Sequence, residues 1–116
     1  MRPSLTTVSK WNWQIANLDQ TGAATNVELI AAPGAGKSLY IWKVTVGAAS
    51  VTQTVKVTNG DDASGTRLIN QTIGATFPAN VEFPFEAPLR LTTNTALKLT
   101  SNTGNCSVVV FYVVGE

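Results

Sequence analysis

The sequence predicts an all-β fold, an eight-stranded β-sandwich preceded by an extended N-terminal arm. Three observations predict it. Apolar residues recur at every second position, as in "VTQTVKVT" and "VEFPFE", which is the period of a half-buried strand. Turn signals punctuate the chain at short intervals: "PGAGK", "NGDDASG", "FPAN", "TTNT" and "SNTGN". No stretch carries an apolar stripe at helical spacing between capping residues. With 116 residues the chain has the length of one domain with a real core.

The elements follow in order. Residues 1–18, "MRPSLTTVSKWNWQIANL", are read as the arm and 19–116 as the sandwich. The first ten residues have no core-forming pattern. "WNWQIANL" alternates, with Trp11, Trp13 and Ile15 on one side, and is a candidate extra strand at 11–18. Its tryptophans either anchor the arm on a neighbouring subunit or plug the end of their own sandwich. The start of the chain is basic but lacks the apolar centre and small-residue cleavage site of a signal peptide. No apolar run approaches the roughly 18 residues of a membrane-spanning helix. The expectation is a soluble protein synthesised in a cytoplasm.

Eight strands are predicted from Val27 onward, at 27–32, 39–47, 51–58, 66–73, 80–86, 89–92, 96–101 and 106–114. In the third, Val51, Val55 and Val57 face inward and Thr52, Thr54, Lys56 and Thr58 outward. In the fifth, Val81, Phe83 and Phe85 face inward, and Pro84, lacking a backbone donor, requires an edge or a bulge. Eight short strands fit a jelly roll, two four-stranded sheets packed face to face. There the last strand lies inside its sheet, beside the first. "CSVVVFYVV" agrees, being apolar on both faces: Val108, Val110, Tyr112 and Val114 on one, Val109, Phe111 and Val113 on the other. Either the N-terminal segment or a neighbouring subunit must cover the second face, and both readings favour assembly.

Composition and motifs exclude most chemistry. Eight basic residues balance seven acidic ones and only 13% of residues are charged, which argues against nucleic-acid binding and against a basic membrane surface. There is no histidine, and Cys106 is the single cysteine, so no zinc set, disulfide or Cys–His nucleophile can be assembled. Ala31 to Ser38 nearly matches the phosphate loop G-x-x-x-x-G-K-[ST], with Ala31 in place of the first glycine. A working loop opens a helix whose amides bind phosphate, but "LYIWKVTVG" follows, with Tyr40, Trp42, Val44 and Val46 alternating as in a strand. The stretch is read as a hairpin turn in which Gly34 and Gly36 take positive φ, Pro33 sets the approach and Lys37 is solvated. Asn59, Asp61 and Asp62 lack calcium-loop spacing and are read as an exposed turn. Glu82 and Glu86 are read as a solvated strand face rather than an acid–base pair. No enzyme activity, metal, cofactor or nucleotide is expected.

Two runs, "VELIAAPGAGKSLYIWKVTVGA" and "FPFEAPLRLTTNTALKLTSNTGNCSVVVFYVVGE", resemble small virion proteins of tailed bacteriophages. The shared features are the turn at Ala32 to Lys37, the pattern Pro88, Leu89, Leu91, Asn94, Ala96 and Leu97, and the apolar closing strand Val108 to Gly115. The resemblance covers residues 27–116 and leaves the arm outside. It implies a jelly-roll capsid decoration, or cement, protein that binds the outer shell of the virion and bridges major capsid subunits. It implies self-association, with a homotrimer the first expectation and a dimer the second. The expected interface residues are Arg2, Pro3, Lys10, Trp11 and Trp13 of the arm, with Val109, Phe111 and Val113 of the last strand. The alternative is a head-fibre or tail-tip module binding a host receptor or carbohydrate.

Overall fold

Alternating apolar residues and frequent turns give eight strands and no helix in the computed structural model of the chain, which describes residues 14–48, 52–63, 65–73, 80–102 and 105–116. The strands are β1 (Gln14–Gln20), β2 (Ala24–Ile30), β3 (Ser38–Ala48), β4 (Gln53–Asn59), β5 (Thr66–Ile73), β6 (Asn80–Arg90), β7 (Leu97–Ser101) and β8 (Cys106–Gly115). They form two four-stranded sheets, ordered β1-β8-β3-β6 and β2-β7-β4-β5, with every neighbouring pair antiparallel. Each connection crosses from one sheet to the other except β4 to β5, which is the interleaving of a jelly roll. The predicted fold class is the one the chain has.

The core lies between the sheets. Leu39, Ile41, Val44, Val46, Val108 and Val110 enter it from the first sheet, and Val55, Val57, Ile69, Leu97 and Leu99 from the second. In β3 the inward positions switch from odd to even numbers because the register shifts between Ile41 and Lys43. An extra residue at such a bulge reverses the facing of everything beyond it. Tyr40 therefore does not share a face with Val44 and Val46, as simple alternation predicted; it is buried outside the core cluster.

Three strand assignments change. The first strand of the sandwich is β1 at Gln14–Gln20, which crosses the boundary drawn at residue 18, and the predicted strand at 27–32 is the second, β2. The last strand lies inside its sheet and beside the first, β1, as the jelly-roll reading expected, with β3 on its other side. The predicted strands at 80–86 and 89–92 are one edge strand, β6, because both stretches pair with β3. Lys43 pairs with Pro84 and Ile41 with Leu89, so 85–88 bulge out of the ladder between two prolines that cannot donate to it. The predicted facing of Val81, Glu82, Phe83, Phe85 and Glu86 concerns side chains outside the described set. Val51 also lies outside it.

Within β4, Val55 and Val57 face inward as expected, and Gln53 joins them, 1% exposed, its Nε2 donating to the Asn105 carbonyl at 2.6 Å. Thr58, expected on the outer face, is buried. Its hydroxyl donates to the Gly60 carbonyl at 2.6 Å where a register shift breaks the β4–β5 ladder.

Candidate functional site

Two outward sheet faces and one loop cluster carry the polar and exposed chemistry of the described residues. On the first sheet the ladder sets the face. Because Val108 and Val110 point into the core, Val109, Phe111 and Val113 point out. β1 pairs with β8 through Ile15↔Phe111, Asn17↔Val109 and Asp19↔Ser107, which extends the same outward row. Ile15 is 64% exposed, the large hydrophobic residue that burial leaves out among the described residues.

The sequence required a cover for this face, and part of it comes from within the sheet. The Lys43 ammonium lies 5.6 Å from the centroid of the Phe111 ring, a cation–π arrangement between cross-strand partners. Val113 pairs with Tyr40, and the two are 4% and 1% exposed. The Tyr40 hydroxyl donates to the Glu116 carbonyl. β1 itself lies beside β8 rather than over it. Its ends are fixed to β8 by Tyr112 Oη donating to Gln14 Oε1 at 2.9 Å and by the Ser107 hydroxyl donating to Asp19. None of its seven residues is buried.

The structure thus brings Val109, Phe111 and Val113 together, with Ile15 beside them. Arg2, Pro3, Lys10, Trp11 and Trp13 lie outside the described residues. The sequence missed Lys43 as a partner of Phe111, since only the bulge at Ile41/Lys43 puts them opposite each other.

The second sheet turns hydroxyls and charges outward. Thr54 and Thr72 are cross-strand partners whose hydroxyls share a hydrogen bond at 3.0 Å. Above them the loop after β4 is held by ions. Asp62 meets Lys56 at 3.1 Å and Arg67 at 2.9 Å, and Asp61 meets Lys98 at 2.7 Å. The Asp62 amide donates to Asn26 Oδ1 at 2.8 Å, while the Asn26 amide donates to Thr100 Oγ1 at 3.1 Å. Asn26 adopts φ 49°, a left-handed conformation that asparagine tolerates. The Arg67 guanidinium and the Lys56 ammonium hold the Asp62 carboxyl below its ordinary value. The segment read as an exposed turn does form a turn with Asp61 exposed, and it also ties β2, β4, β5 and β7 together. Spacing gave no warning, because Lys56 and Lys98 become neighbours only through the β4–β7 ladder.

The near-match to a phosphate loop resolves as a turn. Lys37 N donates to the Gly34 carbonyl at 3.1 Å, with Gly34 at φ 111° and Gly36 at φ 76°. β3 follows at Ser38. Asn94 clamps the turn: its Oδ1 accepts from Gly34 N at 3.0 Å and its own amide donates to the Lys37 carbonyl at 2.7 Å. Lys37 is exposed, as predicted.

A shallow cleft of about 270 Å³ is lined by Asn59, Gly60, Gly65, Thr66, Thr92 and Thr95, none of them titratable. Among the described residues no group of His, Cys, Asp or Glu is arranged to hold a metal. Cys106 is a buried thiol whose ionisation burial pushes up.

No family model matches the chain, and no curated protein matches it. Among solved structures it is similar to the virus-like particle of the extra small virus of the giant freshwater prawn Macrobrachium rosenbergii, at 14% identity and a TM-score of 0.41, covering 95% of this chain and 85% of that one. It is also similar to a Bacillus endospore appendage described as a disulfide-linked pilus, at 17% identity and a TM-score of 0.41, covering 88% of each chain. Likeness at this level carries no argument about function.

Proposed function

We propose that the protein is a non-enzymatic capsid decoration, or cement, protein of a tailed bacteriophage, binding the outer shell as an oligomer and bridging major capsid subunits. The observation that carries the reading is where the residues of the resemblance fall. The "APGAGK" turn joins β2 to β3, and the apolar closing strand is β8, interior to its sheet. The outward row of Ile15, Val109 and Phe111 supplies apolar area for a partner, worth about 25 cal/mol per Å² buried before ordering costs. Repetition over a symmetric shell multiplies such contacts into avidity.

The arm is the proposed tether, and β1 dictates how to test it. Removing residues 1–18 would take five of the seven residues of β1, Gln14 to Leu18, and would confuse loss of tether with loss of a strand. Removing residues 1–13 leaves β1 whole. The full chain, mixed with shells lacking it, should co-sediment and raise their resistance to heat or chelation, and the chain lacking 1–13 should fold but not co-sediment. Undiminished retention of the truncated chain would sink the tether. Failure of the full chain to bind shells, with a few copies per particle by mass spectrometry, would favour the fibre or tail-tip reading.

A further inference from the structure

The two sheets have four edges, and they are not equally protected. Unpaired strand edges invite pairing with another chain, and proteins blunt them with bulges, prolines and charges. β2 is interrupted twice in register, between Ala24 and Val27 and between Glu28 and Ile30, and carries Asn26 at positive φ. β6 contains Pro84 and Pro88 and bulges between its two paired stretches. β5 is broken in register opposite Val57/Thr58 and carries Arg67. β1 has none of these devices. Its seven residues pair with β8 in unbroken register, it contains no Pro or Gly, and its one charged residue is Asp19. Among the described residues no strand pairs with its other edge.

We infer that the free edge of β1 pairs with β1 of a second copy, antiparallel and about a two-fold axis, joining two first sheets into one of eight strands. Full overlap of the seven residues centres the axis on Asn17 and fixes the register. That register sets core-side residues against core-side residues and outward residues against outward residues. Ala16 meets Leu18 of the second copy on the core side, where both pack against the core cluster. On the outward side Asn17 meets its own copy, and Ile15 meets Asp19, so no like charges are opposed. Sliding the axis onto Asp19 would oppose two carboxylates and shorten the ladder. The pairing joins the outward row of Val109 and Asn17 to its own copy across the axis, and sets the row of Phe111 and Ile15 against Asp19 and Ser107 of the second copy. It is a two-fold contact and does not depend on the shell-binding reading; a dimer that ignores shells would leave it standing.

The test is cross-linking at the axis. Residues directly opposite in an antiparallel pair have Cβ atoms about 4.5–5.5 Å apart, close enough for a disulfide after small adjustment. Asn17 is exposed and the native Cys106 is buried, so Asn17→Cys reports the contact alone. Under mild oxidation Asn17→Cys should form a covalent dimer, while Thr25→Cys, an exposed position on the bulged edge of β2, should not. The unmodified full chain should sediment as a concentration-dependent dimer. Asn17→Lys, which opposes two ammonium groups, should weaken association about fivefold. Three results would each overturn the inference: a monomer at all concentrations, cross-linking of Asn17→Cys no faster than Thr25→Cys, or an oligomer indifferent to Asn17→Lys.

Discussion

The first sheet turns Ile15, Val109 and Phe111 outward, whereas the second turns out Thr54 and Thr72 and, around its loop, Lys56, Arg67 and Lys98. Both draw on the same core, so the difference lies in how each outer face is satisfied. On the second sheet every cation named meets a carboxylate and the two threonines meet each other. Such a face is complete in water. On the first sheet Lys43 covers one side of Phe111 and Ile15 stays exposed, so this face gains most from a partner. The proposed association uses the apolar sheet, and loop anchoring belongs to the charged one.

Three substitutions break or sharpen that contrast, the largest expected effect first. Leu99 is fully buried in the shared core, and Leu99→Ala should cost about 2–5 kcal/mol by chemical denaturation. Phe111→Ala should cost about 1 kcal/mol or less, the cation–π contact and some packing, while impairing association far more than folding. Equal costs would make the outer face a second core. Next, a Cβ at Gly65 would collide with the Asn59 carbonyl and stand 2.8 Å from that of Asp61, both rigid backbone. Gly65→Ala should therefore lower stability by about 1–3 kcal/mol, with the loss concentrated in hydrogen-exchange protection around the Asp61–Asp62 loop. Protection lost evenly over both sheets would contradict a locally anchored loop.

The smallest effect is electrostatic. Asp62 has its carboxyl held below the ordinary value of 3.8 by Arg67 and Lys56. A depressed carboxylate contributes stability that is whole above 3.8 and fades as pH falls toward the lowered value. Melting temperature should drop through that acid window in the native chain, and the drop should be shallower in Asp62→Asn. Identical acid profiles would remove Asp62 from the stabilising network.

Much of this was legible in advance, and the failures share a cause. Period-two patterning and turn chemistry located β3, β4, β5, β7 and β8 to within two residues, because those strands are regular or end at Gly- and Asn-rich turns. The turn at Gly34 to Lys37 was readable for the same reason. What patterning could not supply was pairing. It split β6 although one partner strand unites the two stretches, and it offered a strand at 11–18 from alternation but gave it to the arm, because alternation does not name β8 as its partner. It placed Tyr40 on the wrong face because a bulge has no spacing of its own. The outward facing of Val109, Phe111 and Val113 was readable from strand parity alone. The Asp62 network escaped because its members are neighbours only across ladders.

The central place of β8 also sets an order in time. β1 has one ladder partner, and the Asp19–Ser107 contact that fixes its far end spans 88 residues of chain. During synthesis β1 is made before the other seven described strands and must wait for β8, the last of them, before it can pair. Contacts that close over such distances make folding slow. Through that interval both edges of β1 stand open, so a newly made copy meets its fellows before it has met its own last strand.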